Sequence, residues 1–218
     1  MREDMTEEEI AALAAPSDAL ASSVRRLIDA VIRTEVALDV LDEVREQVDA
    51  ATARLAAEQL PGSFGVRYGN AGQIRAWGNS VVGVRNAIAP PLDVKWGEDG
   101  SVVGHATLGA AYEGPAGFVH GGISALLLDQ VCGEAAHAAG RPGMTATLNL
   151  RYLRPAKLGP VRVEAAAVPG EGHKTIVRGR FVTLTDGEEV CVEAEGLFIL
   201  PRAVREKSEE MNLETPNR

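Results

Sequence analysis

The sequence predicts an α+β fold in which an antiparallel sheet wraps around one long central helix, with an α-helical extension at the N-terminus. Three observations lead to this prediction. Residues 120–139 are apolar on almost every side, which is typical of a helix buried inside a domain. Two strand-like segments precede that helix and four follow it, and one sheet covering the helix would bury an apolar face of each strand. Residues 17–60 contain no glycine or proline and carry apolar residues at helical spacing.

Residues 1–60 are predicted to form the helical extension. Residues 1–16 are acidic and end at Pro16, so we expect a frayed segment or a short lead helix there, and Ser17-Asp18 is typical of a helix N-cap. The apolar stripe that follows approximates a heptad seam and predicts one long helix, or two helices with a tight break. We expect it to pack on the domain or on a second copy of the chain, and a regulatory or partner-binding role is the alternative. The stripe consists of Leu20, Val24, Leu27, Val31, Leu38, Leu41, Val44 and Val48.

Residues 61–91 are rich in glycine, proline and asparagine, and they are predicted to form an irregular connector. Pro90 and Pro91 exclude regular helix at its end. The sheet-and-helix domain is predicted over residues 92–201, followed by a disordered C-terminal tail at 202–218.

Strands are predicted on both sides of the central helix. Alternating residues on either side of the turn Glu98-Asp99-Gly100 predict a hairpin, and Gly140 and Pro142-Gly143 end the helix. The predicted strands span 93–97, 102–108, 144–152, 161–168, 175–184 and 189–200.

Composition excludes several functional classes. The formal net charge is −9, which disfavours a general nucleic-acid binder because phosphate neutralisation needs clustered Lys and Arg. Two cysteines without a CxxC spacing predict neither a disulfide framework nor a metal site, as expected in a reducing cytosol. The N-terminus lacks the basic and apolar regions of a signal peptide, and no run of about 18 apolar residues predicts a membrane span. We therefore expect a cytoplasmic protein.

Two glycines at the start of the central helix are the first chemical signal. Gly121 and Gly122 allow the backbone to turn sharply and to approach another molecule closely. The first N–H groups of a helix have no partner within it and lie at the positive end of its dipole. They are suited to a carbonyl oxygen that becomes negative during acyl transfer.

Asp129 is the second signal, because a carboxylate on a buried helix is costly unless it is hydrogen-bonded or paired. The structural alternative is an ion pair with an arginine across an interface, or the capping of a loop. Seven or eight helical residues place Asp129 about 11 Å along the axis from Gly121-Gly122. One carbonyl group cannot contact both, so joint action requires a second, antiparallel copy of the helix and hence a dimer with two shared sites.

The motif His120-Gly121-Gly122, followed by Asp129 and by residues 142–155 (PGMTATLNLRYLRP), resembles the PaaI-type hotdog acyl-CoA thioesterases over residues 85–200. The resemblance implies a hotdog fold and hydrolysis of acyl-CoA to the free acid and coenzyme A. It also implies a homodimer, often paired into a dimer of dimers. No metal or cofactor is implied, since coenzyme A is part of the substrate.

The resemblance also assigns site residues. Asp129 would act as general base or nucleophile, and the N–H of Gly121 or Gly122 would polarise the thioester carbonyl. Thr145, on the strand after the helix of the partner subunit, would position the attacking water. Many relatives carry Asn or Gln several residues before the motif, where this chain has Glu113. Either Glu113 substitutes or that role is lost.

Other candidates have both a functional and an ordinary interpretation. His120 is expected to shape the turn, with direct substrate contact as the alternative. Arg154 and Lys157, near Arg151, are expected to meet coenzyme A phosphates, unless they form only a solvated strand end. Asn149 is predicted to contact the substrate.

The central helix contains two further residues whose side chains could take part in chemistry. Glu134 is five residues beyond Asp129, so it is expected to face elsewhere and is kept as a backup catalyst. Cys132 is expected to be an inert small apolar residue.

The leading functional hypothesis is therefore acyl-CoA hydrolysis, with the acyl chain in an apolar groove between two central helices. The alternative is a non-catalytic acyl-CoA sensor whose N-terminal helices transmit the signal, although residues 1–60 lack a basic recognition face. A hydratase or dehydratase is a third alternative, but the chain shows no His–carboxylate pair of the expected kind.

Overall fold

A computed structural model describes residues 2–3, 6–62, 64–69, 74–90, 92–168 and 174–201. The predicted C-terminal tail, 202–218, lies outside these residues. Contacts divide the chain into two compact units, Met1–Ala89 and Pro90–Arg218.

The first unit contains two helices, α1 (Glu7–Arg33) and α2 (Leu38–Ala56), so the chain takes the two-helix alternative. The expected start of the helix at Ser17-Asp18 is wrong, because α1 begins ten residues earlier and runs through Pro16. A capping box explains the earlier start. The Thr6 hydroxyl accepts from the Glu9 N–H, and the Glu9 carboxylate accepts from the Thr6 N–H.

The predicted connector contains regular structure. Its strands β2 (Arg67–Gly69) and β3 (Ile74–Arg75) join β1 (Arg2–Glu3), from the start of the chain, in a small sheet of order β1-β2-β3. Every residue of α2 is exposed, so no part of the chain that the structure describes covers its share of the apolar stripe. Packing of that stripe on a second copy of the chain stays a prediction.

The second unit contains the predicted six-stranded sheet, in which every pair of neighbours is antiparallel. The strand order is β4-β5-β7-β8-β9-β6, so the strand that follows the central helix lies at an edge. The strands are β4 (Asp93–Trp96), β5 (Val102–Leu108), β6 (Met144–Tyr152), β7 (Gly159–Val168), β8 (Lys174–Thr183) and β9 (Glu189–Ile199).

Helix α3 (Gly121–Ala138) packs against one face of this sheet. Leu127, Leu128 and Val131 are fully buried in the layer between them. A Cβ on Gly179 of β8 would lie 3.0 Å from the Cys132 sulfur, so the sheet approaches the helix most closely at a residue without a side chain. We call the α3-facing side of the sheet the inner face and the opposite side the outer face.

A β-bulge interrupts the pairing of β6 with β9 near the start of β6. Thr145 pairs with Phe198 and Thr147 with Leu197, leaving Ala146 as the extra residue. Strict alternation would place both threonines on one face of the strand. The bulge instead directs Thr145 to the inner face, where its hydroxyl bonds to α3, and leaves Thr147 exposed on the other side.

Candidate active site

The N-terminus of α3 leaves one N–H group available for a ligand. His120 is the N-cap, and its Nδ1 accepts a hydrogen bond of 3.0 Å from the Gly122 N–H. The His120 carbonyl accepts from Ile123 at 2.9 Å, as in an ordinary first turn. Within the described part of the chain, the Gly121 N–H has no acceptor. Gly121, rather than Gly122, is therefore the candidate donor to a thioester carbonyl.

The loop before this turn is fixed by hydrogen bonds. The Glu113 carboxylate accepts from the Gly117 N–H at 2.6 Å, which closes the turn that leads into the motif. The His120 N–H donates to the Tyr112 carbonyl at 2.9 Å, and the Val119 N–H donates to the Ala156 carbonyl at 2.8 Å. Glu113 thus supports the loop that carries His120.

Tyr152, the last residue of β6, contacts the same turn, and the sequence predicts no role for it. Its hydroxyl donates to the Gly121 carbonyl at 2.9 Å. A Cβ on Gly121 would lie 3.3 Å from the Tyr152 ring, so the absence of a side chain allows the ring to approach. The sequence signals for Tyr152 are its position at the end of a predicted strand and its place within residues 142–155, which carry the resemblance.

Asp129 lies two helical turns further along α3 and is partly exposed. The Thr145 hydroxyl donates to its Oδ1 at 2.8 Å. A hydrogen bond to a carboxylate is stronger than one between neutral groups, and it fixes the orientation of the acceptor. Because this bond forms within one chain, Thr145 and Asp129 belong to the same protomer.

Two separate cavities flank the two halves of α3. One, of about 440 Å³, is lined by Gly121, Tyr152 and Arg154, among others. The other, of about 520 Å³, is lined by Asp129 and Thr145 together with Met144 and Phe198. Gly121 and the Asp129 carboxylate therefore line different cavities of one chain, as the axial spacing along the helix predicts.

The Asp129 cavity extends along the C-terminal half of α3. Glu134 lines it as well: it points in a different direction from Asp129 on the helix, as its spacing predicts, but the cavity spans a wide arc and borders both residues. The Gln130 amide donates to the Glu134 carboxylate at 2.8 Å. The wall beyond Asp129 is therefore more polar than the predicted apolar groove.

Cys132 is fully buried, with its sulfur facing Gly179 of β8. Burial, and to a lesser extent the charge of Asp129, raises the pKa of the Cys132 thiol to about 12. A thiol with such a pKa stays protonated at neutral pH, which agrees with the prediction of an inert residue.

The structure separates the predicted substrate-binding residues. Arg154 lines the Gly121 cavity and forms an ion pair with Glu189 at 2.5 Å. Lys157 lines a neighbouring cavity that Arg154 shares, and its bond to Asp186 raises the pKa of the lysine. Asn149 pairs with Glu195 across the sheet, in a third cavity that contains neither Asp129 nor Gly121.

Among the described residues, no group of three or more His, Cys, Asp or Glu side chains is arranged to hold a metal ion. The described helices also include none with the length and apolar character needed to cross a membrane.

Comparison with known proteins gives a consistent result. Residues 116–195 match the family model of the thioesterase superfamily. A solved thioesterase superfamily protein is 36% identical, with a TM-score of 0.74, over 84% of this chain and 94% of that protein. This alignment covers more of the chain than residues 90–218 alone can supply. The zebra fish thioesterase superfamily member 2 is similar in fold, with 20% identity and a TM-score of 0.50 over 58% of this chain and 92% of that one. With its six strands wrapped around α3 and a relative this similar over nearly its whole length, the chain belongs to the thioesterase superfamily and has the hotdog fold.

Proposed function

We propose that this protein hydrolyses acyl-CoA thioesters to the free acid and coenzyme A. Membership of the superfamily supports thioesterase activity in general. One observation carries the proposal: a carboxylate held by a hydroxyl, Asp129 with Thr145, lines a cavity on the same helix whose first N–H, at Gly121, is free to bind a carbonyl oxygen. Acyl transfer needs such a base and such a donor.

A dimer would unite the two halves of the site. Strand β6 is an edge strand, so one row of its backbone groups is open to pairing with another chain. The Asp129 partner, Thr145, lies near its start, and the Gly121 partner, Tyr152, lies at its end. Antiparallel pairing of β6 with its copy would set the start of one strand against the end of the other. Each Asp129 would then face the Gly121 N–H of the other protomer, giving two sites per dimer.

The chemistry follows from these positions. The thioester carbonyl accepts from the Gly121 N–H of one protomer, which stabilises the negative oxygen of the tetrahedral intermediate. Asp129 of the other protomer takes a proton from water, and the resulting hydroxide attacks the carbonyl carbon. The intermediate collapses by breaking the C–S bond, and coenzyme A leaves as the thiolate and is then protonated. Direct attack by Asp129 to give a short-lived anhydride is the alternative route to the same products.

Arg154 is the residue placed to meet the coenzyme A moiety. It lines the Gly121 cavity, and a guanidinium group suits phosphate oxygens. Its present partner is Glu189, which is about half exposed, and a surface ion pair of this kind contributes little and can be exchanged.

The test is thiol release from a panel of acyl-CoAs by the wild-type protein and by Asp129→Asn. We expect kcat of the variant to fall by at least ~10²–10³, the cost of losing one oxyanion donor. Asp93→Asn is the matched control, because Asp93 lies on β4 at the opposite edge of the sheet from β6, and its ion pair is with the exposed Lys95. It should turn over like wild type.

Near-normal turnover by Asp129→Asn would refute the assignment of this residue. If the wild-type protein bound acyl-CoA but released no thiol from any member of the panel, the sensor hypothesis would replace the enzymatic one.

A further inference from the structure

We infer that Tyr152 is a positioning residue of the thioester site. Its hydroxyl, acting with the His120 imidazole, holds the peptide unit between Gly121 and Gly122 in one orientation and so directs the Gly121 N–H at the substrate carbonyl. The inference rests on the proposed function, since it concerns the same donor, but it assigns a role to a residue for which the resemblance implies none.

The two contacts are hydrogen bonds to opposite sides of one peptide unit. Tyr152 Oη donates to the Gly121 carbonyl at 2.9 Å, and His120 Nδ1 accepts from the Gly122 N–H at 3.0 Å. These two groups belong to the same planar amide, because the carbonyl of one residue and the N–H of the next are joined by the peptide bond. Fixing both groups fixes the orientation of this plane, which is joined through the Gly121 Cα to the preceding plane that carries the Gly121 N–H.

The backbone needs these two hydrogen bonds as restraints because the turn is built from glycines. Gly121 and Gly122 lack the side chains that restrict backbone rotation, and the ends of helices fray more readily than their interiors. The preceding peptide is held only through the His120 carbonyl, which accepts from Ile123 and, at 3.4 Å, from Ser124. The free N–H belongs to this preceding peptide, so its direction is set by the His120 carbonyl on one side and, through the Gly121 Cα, by the following peptide on the other.

The position of Tyr152 suits this role. It ends β6, a strand of the main sheet that pairs with β9 over most of its length. Its ring lies against Gly121, where a Cβ would come within 3.3 Å of the ring carbon Cε1. The hydroxyl is thus held by the sheet, which does not fray with the helix end, and a residue on a rigid element can fix a donor more sharply than a loop can.

The first experiment compares kcat and KM for thiol release by wild type and Tyr152→Phe, which keeps the ring and removes the hydroxyl. Loss of one ordinary hydrogen bond predicts a fall in kcat of about two- to tenfold. KM should change little, since the ring still lines the cavity. Asp93→Asn, on β4 at the opposite edge of the sheet from β6, is the control and should retain the wild-type kcat.

A second measurement does not depend on turnover. In ¹⁵N-labelled protein, the Gly121 and Gly122 amide signals should shift in Tyr152→Phe, and the Gly122 N–H should exchange with solvent faster. His120→Ala releases the other side of the peptide and should produce similar changes, whereas His120→Asn offers a replacement N-cap acceptor and should restore them in part. Because both side chains act on one amide, the double variant should lose less than the product of the two single losses in kcat.

The outcomes are distinct. A reduced kcat with shifted glycine amides supports the inference. Wild-type kcat and unchanged amide signals in Tyr152→Phe would overturn it while the proposed function stood. A double variant whose kcat falls by the full product of the two single losses would also overturn it, since this result would show that Tyr152 and His120 act on different groups. Loss of turnover in Asp129→Asn but an unaltered Tyr152→Phe would leave the enzyme assignment intact and remove Tyr152 from it.

Discussion

The sharpest test of the site concerns two threonines that are two residues apart on β6. Thr145 donates a hydrogen bond of 2.8 Å to Asp129 Oδ1, whereas Thr147 lies beyond the bulge and is exposed on the other face. Valine has nearly the shape of threonine but no hydroxyl. Thr145→Val therefore removes the bond to the carboxylate, and Thr147→Val makes the same chemical change outside the site.

The expected effect follows from the charge on the acceptor. A hydrogen bond to a charged group contributes about 1.5–3 kcal/mol, and each 1.36 kcal/mol corresponds to tenfold in rate. If Thr145 holds the carboxylate during attack, kcat of Thr145→Val should fall by about 10- to 100-fold. Thr145→Ser keeps the hydroxyl and should recover most of the loss. Thr147→Val should leave kcat unchanged.

The assay is thiol release at saturating and limiting acyl-CoA, with circular dichroism and thermal unfolding to confirm that each variant is folded. Equal kcat values for Thr145→Val and Thr147→Val would refute the argument, because the two changes differ only in the face that the bulge gives them. A loss in Thr145→Ser as large as in Thr145→Val would also contradict it.

Two further predictions concern other parts of the chain. The Cys132 thiol is buried and has a pKa of about 12, so it should not react with a thiol-specific disulfide reagent at pH 8 in the folded protein, but should react after unfolding. The folded state also holds this proton more tightly than the unfolded state. The free energy of unfolding should therefore fall as the pH rises above about 9. Rapid labelling of the native protein would contradict the burial of this residue. Pro16 lies exposed inside α1, where it removes one helical hydrogen bond, so Pro16→Ala should raise the free energy of unfolding of the first unit by about 1–3 kcal/mol. Denaturant unfolding would measure this, and a lower value for Pro16→Ala would show that the proline is favoured where it stands.

Local sequence patterns were sufficient for the main elements of the fold. The apolar run after His120 could only be a buried helix, and the alternating segments after Gly143 could only be strands around it. The separation of Gly121 and Asp129 also needed little more than the sequence, because both lie on one helix, whose geometry fixes it. The start of α1 is where the local pattern misleads, since Pro16 indicates a boundary but the capping box of Thr6 and Glu9 starts the helix before it.

The tertiary structure decided which side chains reach the site. Alternation along β6 would place Thr145 and Thr147 on one face, and only pairing with β9 reveals the bulge that separates them. The role proposed for Tyr152 depends on a contact between residues 31 positions apart in the chain. The orientation of the His120 ring decides which N–H is free, because its Nδ1 accepts from Gly122 and leaves the N–H of Gly121 available. Helical geometry follows from neighbours in sequence, whereas strand register and side-chain contacts depend on residues that only the folded chain brings together.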